Sequence, residues 1–196
     1  MTRTDLAMGT SPAGTSAGLS LFAAFWVILI VGFLVHWLAD RRRPGRGRHR
    51  TVELMLLWVV VLGGAWAIVA GLTLIDGQSH QSAASIGYAP SMYQWEVGWA
   101  DIAIGVLGVA CVRKALRGQW MTAAVAVLGI CFGGDAIGHV MQWTAHNNTA
   151  PVNVWSIPHD LLQSGLAVLL LVIYRRLDGA APGPSRKLAG TMTRGD

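Results

Sequence analysis

Leu19 to Leu38 reads LSLFAAFWVILIVGFLVHWL, and RRRPGRGRHR follows at Arg41 to Arg50. A helix needs about 20 apolar residues to cross about 30 Å of hydrocarbon, so the first stretch is long enough to span a bilayer. The second cannot continue it. Pro44 and the glycines make it a turn-rich loop whose arginines belong in water or against headgroups.

The same rhythm recurs along the chain. Leu54 to Ile75 forms a second apolar run, with Gly63, Gly64 and Gly71 positioned for close helix packing. Val97 to Val112 is short and contains Asp101, so its helix is predicted to begin near Ser91 or Met92. Trp120 to Trp143 is the fourth run, and the fifth reaches Tyr174. The fifth run's start stays open, because Pro158 suits either a first helical turn or a kink in a helix begun earlier. The reading is an all-α polytopic bundle of five transmembrane helices over residues 19–176. Flexible segments flank it at 1–18 and 177–196.

Charge orients this bundle. Apart from Arg3, every Lys and Arg lies at 41–50, at 113–117 or from Arg175 onward. The connections 76–95 and 144–156 carry none. Short basic loops are retained in the cytoplasm, which predicts an external N-terminus and a cytoplasmic C-terminus, in a bacterial plasma membrane. The chain carries a net charge of +5. Because the arginines flank apolar spans, the expected partners are the bilayer and its anionic inner-leaflet lipids rather than nucleic acid. Cys111 and Cys131 fall at different expected depths, which argues against a disulfide.

This orientation collects the strongly polar residues of the third, fourth and fifth spans towards the outer face. Glu96 and Asp101 lie on the third helix, Asp135 and His139 on the fourth, and His159, Asp160 and Gln163 at the start of the fifth. Asp135, His139, Gln142 and His146 recur at offsets of zero, four, seven and eleven, a single helical stripe. Gly134 and Gly138 form a small-xxx-small pair, a signal for a close helical neighbour. Ionisable groups in hydrocarbon are costly and generally mark an internal site.

The leading expectation is a divalent cation (Zn, Mn or Fe) on Asp135, His139 and His159. Glu96 or Asp101 would serve as base or further ligand, with Asp160, Gln163 and Gln142 supporting the ligands. Such a site would act on a lipid or small-molecule substrate. Haem between His139 and His159 is a weaker fit, because nearby carboxylates suit a cation better than a porphyrin.

A second reading uses the same groups in proton-coupled or ion transport, with His36, Asp40 and Glu53 near the inner face. Those three equally suit a role as partners of the adjacent arginines. A third reading is a structural subunit of a homo-oligomer or membrane complex. No GxGxxG, Walker, HExxH, GxSxG or CxxC pattern directs the chain to a soluble enzyme class.

Overall fold

A computed structural model describes residues 12–40, 47–76 and 79–179. Its described residues form helices and no strands. These are α1 (Pro12–Asp40), α2 (Arg48–Ile75), α3 (Ser79–Ile86), α4 (Tyr93–Ala110), α5 (Gln119–His146) and α6 (Pro151–Gly179), with a 3₁₀ turn at Lys114–Leu116. Four of them, α1, α2, α5 and α6, are long and apolar enough to cross a membrane. Their outward side chains are apolar, with Ile130 76% and Ile137 63% exposed, a surface suited to lipid.

Several boundaries differ from the sequence reading. α1 begins at Pro12, so part of the segment expected to be flexible is helical, while residues 1–11 and the tail 180–196 lie outside the described residues. α6 begins at Pro151, which places Pro158 inside the helix. Asn147 makes the turn before it, taking a left-handed conformation (φ 53°) that closes α5.

α2 is central, packing against α1, α4 and α6. The contact between α2 and α4 is backbone to backbone. A Cβ on Gly64 would come within 2.7 Å of the Gly105 carbonyl, and one on Gly108 within 2.7 Å of the Val60 carbonyl. Only glycine allows that approach. α5 packs on α6 and touches α4 lightly. Phe25, Leu56, Val60, Met121, Val125 and Leu128 fill the space between the helices.

The basic segments meet at one end of this bundle. Arg50 donates to Asp40 at 3.2 Å and to Glu53 at 2.8 Å, and Arg117 donates to the other Glu53 oxygen at 3.0 Å. His49 contacts Asp178 at 2.6 Å. Arg175 reaches the Gly118 carbonyl and the Thr122 hydroxyl. The polar groups singled out in α4, α5 and α6 lie away from this network.

Candidate functional site

Asp101 on α4, Asp135 on α5 and Asp160 on α6 lie within electrostatic reach of one another. Asp101 is half-buried, Asp135 exposed beside the lightly packed α4–α5 seam, and Asp160 buried. No Lys or Arg occurs between Thr51 and Val112 or between Gly118 and Tyr174, the stretches that carry these carboxylates. His139 stands among them, one turn beyond Asp135 on α5.

The imidazole's orientation is set by a residue that sequence reasoning missed. Asn153 is fully buried, and its amide donates to the carbonyls of His139 (3.3 Å) and Asn148 (3.1 Å). Those two bonds leave its oxygen facing His139 Nδ1 at 2.8 Å, which assigns the Nδ1 proton to that contact. Nε2 then faces Asp160 Oδ2 at 3.9 Å. At that distance the two groups are in electrostatic range without forming a hydrogen bond. Asn153 was legible only as a residue seven before Asp160, on the same face of a helix whose start the sequence left open.

Tyr88 was also missed. It lies between α3 and α4, half-buried, with its ring 6.5 Å from that of His139. Burial, and secondarily Asp135, push its phenol above the ordinary 10.0, so it stays a neutral donor at physiological pH.

His159 goes elsewhere. Its ring centre lies 4.9 Å from that of Phe22, 4.7 Å from Phe25, 5.8 Å from Trp26 and 6.4 Å from Trp66. This is the α1–α2 side of α6. Successive residues on a helix point about 100° apart, so His159 and Asp160 serve different neighbours. The expected Asp135–His139–His159 ligand set is therefore not assembled. Among the described residues no three His, Cys, Asp or Glu side chains are grouped to hold a metal ion. The two imidazoles keep different neighbours, Asn153 for His139 and the Phe22–Phe25–Trp26–Trp66 rings for His159, and Asp160 faces His139.

Other expected participants also separate. Glu96 is exposed in the first turn of α4. Gln142 is half-buried near the end of α5, where its carbonyl accepts the Asn148 N–H at 3.0 Å. Gln163 is buried one turn from His159, facing Gly63, and both its amide atoms lack a well-formed hydrogen bond. A methyl group added at Gly134 or Gly138 would meet nothing within 4 Å, so this pair joins no helix among the described residues. His36 accepts from the Trp58 indole at 3.2 Å, while Asp40 and Glu53 partner the arginines. Cys111 and Cys131 are free. A groove of about 630 Å³ along the α5–α6 seam is lined by Gly129, Ile130, Gly165, Val168 and their apolar neighbours, and contains none of the ionisable residues.

No curated protein and no solved structure matches the chain. A family model does match, over residues 19–180: the chain belongs to DUF6790, a family of unknown function.

Proposed function

We propose a five-pass membrane protein whose Asp101–Asp135–Asp160 cluster binds and releases protons through His139, as the ion-coupling part of a transporter. In this reading α4 is the fifth crossing helix, the N-terminus is outside, and the basic end is cytoplasmic. The gathering of the basic segments at one end supports that arrangement. There, Arg48, Arg113, Lys114 and Arg176 meet anionic headgroups of the inner leaflet.

The observation that carries the proton reading is the fixed orientation of the His139 ring. With Nδ1 engaged by Asn153, Nε2 is turned towards a buried carboxylate. Two further acids stand nearby, in stretches of chain that supply no Lys or Arg. Burying carboxylates without a cationic partner is costly, and a proton is the smallest cation that relieves the cost.

Dicyclohexylcarbodiimide, which partitions into lipid and reacts with protonated carboxyl groups, tests this directly. Purified protein reconstituted in liposomes should form adducts at Asp160 or Asp135, seen by peptide mass spectrometry. The rate should fall as pH rises, and the adduct at each position should vanish in Asp160→Asn or Asp135→Asn. No adduct at any of the three acids, at any pH where the protein stays folded, would reduce the cluster to a structural network.

A further inference from the structure

Residues 79–94, leading into α4, carry two separate sets of hydrogen bonds, one of which leads to His139. α3 ends at Gly87, whose φ of 79° is a left-handed conformation, and the Tyr88 N–H returns to the Ala83 carbonyl at 2.9 Å. Asn148, from the α5–α6 turn, donates to the Ile86 carbonyl at 2.8 Å. A Cβ on Gly87 would collide with the Asn148 side chain, so glycine is required there both for its φ and for this contact. The Asn148 carbonyl in turn accepts from Asn153, the residue that holds His139. At the other end of the connection, Gln94 accepts from the Ser91 N–H at 3.0 Å and donates to the Ala89 carbonyl at 3.3 Å.

Between these two sets, the chain places the Tyr88 ring 6.5 Å from that of His139 and within electrostatic reach of Asp135. In the five-pass arrangement the exposed flank of Asp135 faces lipid, and Tyr88 stands at the end of the cluster away from the basic network. Asp76 and Glu96, the acids that flank the strap, belong to its two outer edges.

We propose that residues 79–94 form a strap closing the aqueous end of the carboxylate site, with Tyr88 as its cover and Asn148 as its latch. The assignment rests on the proton-binding reading for its purpose. Its test reads the cover itself, through the access of a reagent to a neighbouring thiol.

Cys131 lies one turn from Asp135 on α5, within electrostatic reach of Asp135 and Asp101. It reports whether water reaches the cluster. A small, charged methanethiosulfonate reagent is added to the reconstituted full chain, and modification at Cys131 is followed by peptide mass spectrometry. In the wild type it should be slow. Tyr88→Ala and Asn148→Ala should accelerate it several-fold, because loss of closing contacts lowers the free energy of local opening. Tyr88→Phe, which keeps the ring, should restore the slow rate.

Fast modification of the wild type, or one common rate in all four proteins, would overturn the strap. Carboxylate charge near Cys131 also sets its thiolate fraction, so the four proteins are compared at one pH, where they differ only at Tyr88 or Asn148. Negative carbodiimide labelling with a Tyr88-dependent cysteine rate would therefore reject the proton reading and leave the strap standing.

Discussion

His159 and Asp160 are neighbours in the chain that belong to different surroundings, and the helix explains why. One residue's rotation turns the imidazole towards Phe25 and Trp66, and the carboxylate towards His139. The cost of ionisable groups in hydrocarbon argues that both face protein, but it carries no information about which neighbour lies on which flank. Asn153 was hidden for a related reason, since its role depends on α5 closing at Asn147 and returning the chain beside His139.

Gln163 offers a direct measurement at this scale. Gln163 is 1% exposed, its amide forms no hydrogen bond of normal geometry, and its polar neighbour is the His159 imidazole. A buried unsatisfied polar group costs about 1–3 kcal/mol. Gln163→Met, similar in length and without that cost, should raise the thermal unfolding midpoint in detergent. A lowered midpoint would show that the amide is satisfied in the membrane.

Among the helices, glycine has two different meanings. On α2 and α4, Gly64, Gly71, Gly98, Gly105 and Gly108 stand against backbone atoms of the opposite helix. On α5, Gly134 and Gly138 repeat a similar spacing with nothing opposite among the described residues. A small residue permits close approach without supplying the partner, so the two sets read alike in sequence. Gly105→Ala would set a methyl 2.5 Å from the Gly64 carbonyl, where neither backbone can yield without separating the helices. It should cost about 1–3 kcal/mol, the usual range for overpacking. Gly134→Ala should leave stability unchanged or improved, because alanine is the better helix former by about 1 kcal/mol. Equal losses in thermal unfolding would refute this assignment of α2–α4 as the close-packed pair.

Across the whole molecule, the network of Arg50, Arg117, Asp40 and Glu53 ties α1, α2 and the α4–α5 turn together at one end. The carboxylate cluster with His139 occupies α4, α5 and α6 away from it. Such a division suits a membrane with a basic inner end and a proton-exchanging outer half. A green fluorescent reporter fused after Asp196 should fluoresce, as it does only in the cytoplasm, while an alkaline phosphatase placed there should be inactive. The opposite pair of results would invert the proposed orientation and, with it, the side from which the cluster is reached.

The apolar runs, their approximate ends and the separation of basic connections from those without Lys or Arg were legible in the chain alone. Each depends on properties that one segment carries by itself: enough apolar length to match hydrocarbon, and arginines that resist entering it. The meeting of Asp101, Asp135, Asp160 and His139, the departure of His159 and the covering position of Tyr88 emerged only on folding. They depend on how far each helix is rotated and on which backbone allows close approach, both set by packing between segments distant in the chain.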